Sequence, residues 1–284
     1  MIVIADSGST KTHWVALEGS ERQDAVTMGL NPRLADDGAF DEAIAQVRKG
    51  LLPGGAAVGE IYFYGAGCGT EASCNSVKAK LERRFAGAAV SVGSDLLGAC
   101  RAVCGNRPGM VGILGTGSNL CYYDGEGVAR RRTSTGYILG DEGSGNHIGR
   151  RLLKDYLEEC MPEELRAMFH ETYGLSNDQL LDRLYRQPYA NRWLASLASF
   201  AAEHRGSEYI ASVLADCFEA YFSQLAYFGE HSRLLLGIVG GLTASFSHEL
   251  TAAAKRLGVP LGTLVGDPME GLIRFHDTFF LGQQ

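Results

Sequence analysis

Short apolar runs that stop at a polar, glycine-bearing turn recur along this chain, and that rhythm constrains the fold more than any other feature. Glycine supplies 37 of 284 residues against 7 prolines, and it gathers just behind the apolar runs. Residues 2–5 predict a strand, 6–12 a polar turn and 14–17 a returning strand, so the chain opens on a hairpin with a glycine-bearing loop. A helix is expected over about 35–51, a buried strand over 61–64 ending in Gly65-Ala66-Gly67, a helix over 71–85 and a strand over 89–92. Alternating strand and helix implies parallel pairing.

The pattern then restarts. A strand at 110–114, a glycine turn at 115–118 and a returning strand at 120–123 form a weak internal repeat of the opening. Residues 148–229 read as mostly helical. Leu152, Leu153, Tyr156 and Leu157 make one apolar stripe, and Ile210, Val213, Leu214, Cys217, Tyr221, Phe222 and Leu225 make another. A strand at 234–239, the Gly240-Gly241 turn, a helix at 244–257, a strand at 261–265 and a helix from about 268 complete the chain. The length suits two domains, expected at 1–105 and 106–284, with a tight hinge near 105 and the helical block as an insertion in the second.

Composition excludes some classes of function. With 26 basic against 33 acidic side chains the net charge is −7, which argues against a nucleic-acid surface. No apolar run approaches the roughly 20 residues of a membrane helix, and residues 1–6 lack the basic start of a signal peptide, so no membrane partner and a cytoplasmic location are expected. The 7 cysteines include no C-x-x-C pair and the 7 histidines no zinc spacing, so no structural metal is expected. Cys100 and Cys104, four apart on a helix, fit core packing or cluster ligation.

Four loops could carry chemistry. Asp6-Ser7-Gly8-Ser9-Thr10-Lys11-Thr12 sets a carboxylate at a strand end, followed by small residues whose amides can face a phosphate. It is no Walker A loop, since Lys11 follows Thr10 rather than Gly, and an ordinary Ser/Gly hairpin turn reads equally well. Gly115-Thr116-Gly117-Ser118-Asn119 follows the same logic, and Leu120 in place of a third glycine excludes a dinucleotide fingerprint. Gly240-Gly241 lets a flat ligand approach backbone, or is simply a close turn. Gly140-Asp141-Glu142-Gly143-Ser144 carries two carboxylates ahead of a helix, as ligands or as partners of its dipole. Asp95, just past a strand's carboxyl end, is placed to meet a ligand or to act as N-cap of a helix at 96–104.

In order and spacing, Asp6-x-Gly8-x-Thr10-Lys11-Thr12, Asp95, Gly115–Ser118, Gly140–Ser144 and Gly240-Gly241 together resemble the BadF/BadG/BcrA/BcrD ATPase family, and within it the N-acetylglucosamine kinases of the sugar kinase, heat-shock chaperone and actin superfamily. The resemblance spans essentially the whole chain. It implies an α/β fold of two ribonuclease-H-like domains closing over ATP and Mg²⁺. Ser7, Gly8, Ser9, Thr10 and Lys11 with Gly115, Thr116 and Gly117 would hold phosphates, Gly240 and Gly241 would pack on the adenosine, and Asp6 would hold Mg²⁺ through water. The sugar would meet Asn31, Asp95, Ser118, Asn119, Gly136 and Asp141, with Asp95 as the base for the acceptor hydroxyl. A small sugar is thus the expected partner, and a homodimer is compatible with the family.

The chain departs from the pattern at Thr135-Gly136, where relatives carry Trp-Gly, and at Ser7 and Ser9, where many carry Gly. Ser7 and Ser9 are tolerable if both keep negative φ. Two other readings remain: an ATP-driven activator of an iron–sulfur dehydratase, for which Cys68 in Gly65-Ala66-Gly67-Cys68-Gly69 is the candidate ligand, and a non-catalytic sugar sensor.

Overall fold

The computed structural model describes residues 1–33, 35–52 and 57–281. Its contacts divide the chain into two units. The first holds residues 1–107, 125–128 and the chain from Asp267 onward, and the second holds 108–124 and 129–266.

In the first unit β1 (Ile2–Ser7), β2 (Lys11–Glu18) and β3 (Glu21–Met28) form an antiparallel meander, and β4 (Glu60–Gly65) and β5 (Ala89–Ser94) continue it in parallel, in the order β3-β2-β1-β4-β5. Val3, Ile4 and Ala5 have no exposed surface, because helices cover both faces of this central strand and demand an unbroken apolar run. α1 (Asp37–Leu51) starts where Asp36 accepts a hydrogen bond from the Ala39 amide, and it buries Phe40, Ala43, Ile44, Val47 and Leu51 on one stripe. α2 (Glu71–Arg84) opens on a Thr70/Ser73 capping box. α3 (Asp95–Cys104) follows β5 directly.

The second unit repeats the plan. β6 (Gly109–Leu114), β7 (Ser118–Tyr123), β8 (Val128–Arg131), β9 (Leu236–Val239) and β10 (Leu261–Val265) lie in the order β10-β9-β6-β7-β8, the first sheet's order element for element. Where one helix joins β3 to β4, a helical run joins β8 to β9: α4 (Gly136–Leu139), α5 (Gly145–Leu157), α6 (Glu163–Tyr173), α7 (Asn177–Tyr185), α8 (Ala190–Ser196), α9 (Ala198–Glu203), α10 (Glu208–Ser223) and a 3-10 stretch, Gln224–Arg233. The expected α10 stripe is buried throughout. α11 (Gly241–Ser245) and α12 (Ser247–Arg256) lead to β10, and α13 (Met269–Leu281) ends the described chain.

Several expectations need correction. β3 and β8 are absent from the sequence reading because both are polar: in β3 only Thr27 is buried, so no apolar run marks it. The helix expected at 244–257 is two helices broken at Phe246, and the first begins at Gly241 itself. The terminal helix, expected in the second domain, packs on α3 and β1 and belongs with the first unit.

Candidate functional site

In the first unit the hairpin loop closes with the Gly8 amide donating to the Lys11 carbonyl, 2.9 Å. Ser7 and Thr12 flank it fully buried, their hydroxyls 2.8 Å apart. Thr12 Oγ1 donates to the Met28 carbonyl (2.9 Å) and Ser7 Oγ accepts from the Leu30 amide (3.0 Å). The Ser7 hydroxyl therefore serves the fold, and so does its carbonyl, which accepts from the Ala66 amide at 2.7 Å. The Gly29 amide donates to the Thr10 carbonyl (3.0 Å), and a Cβ on Gly29 would collide with the backbone of Gly8 and Ser9. The exit of β3 thus braces the loop from below, a support invisible without β3. Gly8 and Ser9 are half-buried, Thr10 and Lys11 exposed. Among the described residues Asp141, Glu159 and Tyr189 are the non-glycines with positive φ, so Ser7 and Ser9 replace glycine without strain.

Asp6, the penultimate residue of β1, lies opposite His13. Burial pushes its carboxyl up to about 7, the Asp95 and Asp267 carboxylates push the same way, and His13 and Lys11 oppose them. Asp95 is the first residue of α3, not its N-cap: Ser94 takes that role, its hydroxyl accepting from the Leu97 amide at 3.1 Å. The cap expected of Asp95 is supplied one residue earlier because β5 runs two residues longer than its apolar pattern. Asn31 follows β3, its Oδ1 accepting from the Arg33 amide (3.0 Å) and its side chain packed so closely on Gly67 that a Cβ there would collide with it.

Sequence reasoning missed a charged cluster here. His13 Nδ1 lies 3.0 Å from Asp267 Oδ2 and its Nε2 3.0 Å from Asp24 Oδ1, while Arg22 bridges Asp24 and Glu270. The cluster ties the start of α13 to β2 and β3, and its members stand 254 positions apart, beyond any local pattern.

In the second unit the loop between β6 and β7 is clamped by α5. The Gly145 amide donates to the Gly115 carbonyl (2.9 Å) and the Asn146 amide to the Thr116 carbonyl (3.1 Å), while buried Ser144 caps α5. Asp141, at φ 59°, turns its carboxylate onto this loop: Asn146 Nδ2 donates to Oδ2 at 3.1 Å, the Ser118 amide approaches Oδ1 at 3.4 Å, and Gly117 faces it too closely for a side chain. Burial raises the Asp141 pKa, and the Asn146 and Ser118 contacts pull it back. Glu142 points elsewhere, to Gln224 Nε2 at 3.2 Å. The adjacent carboxylates thus part company. Gly136, at φ 71°, opens α4, and Arg150 of α5 holds that segment through the Tyr137, Ile138 and Gly140 carbonyls.

Gly240 lies at φ 128° flat against the Leu114 carbonyl, where a Cβ would collide, whereas Gly241 faces open space, as does Gly115. Cys68 is buried and burial pushes its thiol up to about 12, the wrong direction for a cluster ligand. Among the described residues no three His, Cys, Asp or Glu side chains stand close enough to hold a metal directly, and no helix is long and apolar enough to cross a membrane.

A solved protein of Porphyromonas gingivalis, a candidate N-acetylglucosamine kinase, is 35% identical over 97% of this chain and 98% of its own, with a TM-score of 0.92. The chain belongs to the BadF/BadG-like sugar kinase family. A second candidate N-acetylglucosamine kinase, from Chromobacterium violaceum, shares the fold at 17% identity (TM-score 0.74; 96% of this chain, 98% of that one). MreB 5 of Spiroplasma citri, solved with AMPPNP, shares it at 10% identity (TM-score 0.60; 98% and 95%). No family model and no curated protein matches the chain. This sugar kinase therefore has the two-domain actin-like fold, uses ATP and takes a small sugar.

Proposed function

We propose that this sugar kinase phosphorylates a hydroxyl of an amino sugar, N-acetylglucosamine before others, in amino-sugar or cell-wall sugar salvage. The observation that carries the reading is the end-to-end likeness to the Porphyromonas relative. The residues that would meet the sugar are Asn31, Asp95, Ser118, Asn119, Gly136 and Asp141. Neutral Asn31 and Asn119 suit an uncharged hexosamine.

The residues present fit the nucleotide and its metal. Gly115 and Gly241 leave backbone open to a ligand, and Gly8, Ser9 and Thr10 form the outer side of the first loop. Asp6 carries a carboxyl that burial and two neighbouring carboxylates make reluctant to ionise, a setting that a divalent cation would relieve. Mg²⁺ there, held through water, would neutralise charge on the transferred phosphoryl group. Asp6 would orient that water, the loop amides would fix the phosphates, and Lys11 would add a positive charge. Asp95 would accept the proton of the acceptor hydroxyl, a contribution of about 10²–10⁴ in rate.

An ADP-release assay over N-acetylglucosamine, N-acetylmannosamine, glucosamine, N-acetylmuramic acid and glucose tests the reading. Fastest turnover with N-acetylglucosamine is expected, and a preference for glucose would overturn it.

A further inference from the structure

The helical run between β8 and β9 touches two second-unit segments that carry proposed sugar residues, β7 and the acidic loop. Tyr221 sits in the apolar stripe of α10 with no exposed surface, yet its hydroxyl leaves the stripe and donates to the Asn119 carbonyl at 3.1 Å. Two glycines make room for it. A Cβ on Gly112 of β6 would strike the Tyr221 hydroxyl, and one on Gly143 of the acidic loop would come within 2.6 Å of the Tyr221 Cβ. Three residues on, and so on the same helical face, Gln224 Nε2 donates to Glu142 Oε2 at 3.2 Å. One face of the insertion therefore grips β7 at Asn119 and the acidic loop at Glu142.

What it grips is strained. Asp141 holds a left-handed backbone conformation that a non-glycine residue keeps only when its surroundings fix it. Its own carboxylate is tied to Asn146 and approached by the Ser118 amide, and the next residue is tied to Gln224. A phenylalanine would keep the ring in the apolar stripe and lose the hydroxyl that sits over Gly112 and donates to Asn119.

We propose that Tyr221 and Gln224 are positioning residues that hold Asn119 and the Asp141 loop in register for the sugar, so that the helical insertion sets sugar affinity. The inference rests on the assignment of Asn119 and Asp141 to the sugar. Neither Tyr221 nor Gln224 touches the reacting atoms. Loss of either should therefore fall on sugar binding and spare the nucleotide.

The test compares Tyr221→Phe and Gln224→Ala with Tyr209→Phe, which removes a hydroxyl from the same helix at its 2.8 Å bond to Asp155, away from the loop. Sugar and nucleotide Kd by calorimetry, KM and kcat for each substrate, and Tm are measured on all three. Expected is a rise of about three- to tenfold in sugar KM and Kd for Tyr221→Phe and Gln224→Ala, with nucleotide constants within about twofold of wild type. Tyr209→Phe should lower Tm and leave the sugar constants alone. The proposal is overturned if Tyr221→Phe lowers Tm without moving the sugar constants, or if nucleotide and sugar constants rise together. The variants are assayed on whichever sugar the wild type phosphorylates fastest. A preference for another hexose would overturn the N-acetylglucosamine reading and leave the clamp to stand or fall on its own KM ratio.

Discussion

Asp95→Asn separates chemistry from capping because Ser94, not Asp95, caps α3. In the proposed role the amide would keep a hydrogen bond to the sugar hydroxyl and would not accept its proton. Steady-state kinetics should show kcat reduced by about 10²-fold or more, with nucleotide affinity within a few-fold and Tm unchanged. Near-normal turnover would remove Asp95 as base and turn attention to Asp141. Asp6 yields a pH signature. Its folded pKa of about 7 lies above the 3.8 of an exposed carboxyl, so the folded state binds the proton more tightly. The stability this contributes is complete below pH 3.8 and is lost as pH rises through 7. Asp6→Asn should therefore melt above wild type at pH 8, by on the order of 2 kcal/mol, and the gap should close toward pH 4 in thermal scans without metal. A gap that widens toward low pH would contradict the assignment. The Gly240-Gly241 pair also divides at this scale. Gly240→Ala drives a Cβ into the Leu114 carbonyl at a φ that alanine avoids, and should destabilise the second unit by about 2 kcal/mol or more. Gly241→Val meets open space, so Tm should hold while calorimetry shows nucleotide Kd raised at least about tenfold and sugar Kd unmoved.

At the scale of elements, α5 does the work that the glycine loop cannot do for itself. Its first amides hold the Gly115 and Thr116 carbonyls, its Asn146 holds Asp141 and its Arg150 holds the segment after Gly136. All depend on where α5 begins, which Ser144 fixes by accepting from the His147 amide. Ser144→Ala should cost about 1 kcal/mol in denaturant unfolding and raise KM for nucleotide and sugar together, unlike Tyr221→Phe. An unchanged KM for both would show the loop to be self-supporting. The acidic loop was legible as a motif, because carboxylates between glycines ahead of a helix are a local pattern. That Asp141 faces the phosphate-sized loop and Glu142 faces the insertion was not. The choice follows from a single positive φ at Asp141, which no neighbouring residue announces.

For the whole molecule, the matching strand orders β3-β2-β1-β4-β5 and β8-β7-β6-β9-β10 show two copies of one plan, the second carrying the insertion. The sequence by itself determined the buried strands, the amphipathic helices, both hairpin loops and the restart of the pattern near residue 110. Each of these is written in neighbours a few positions apart, through apolar period and glycine placement. Tertiary structure alone decided the rest. β3 and β8 are polar edge strands, recognisable only once β2 and β7 offer them hydrogen-bond partners. The Ser7 hydroxyl is a buried brace, because Thr12 of β2 and the Leu30 amide just past β3 converge on it. Tyr221 reads as one more apolar stripe residue, and it meets Asn119 only because two distant glycines admit its ring. α13 returns to the first unit, where His13 meets Asp267 across 254 positions. Periodicity records which face of an element is buried; which partner covers that face depends on contacts between segments far apart in the chain, and those exist only after the sheets have formed.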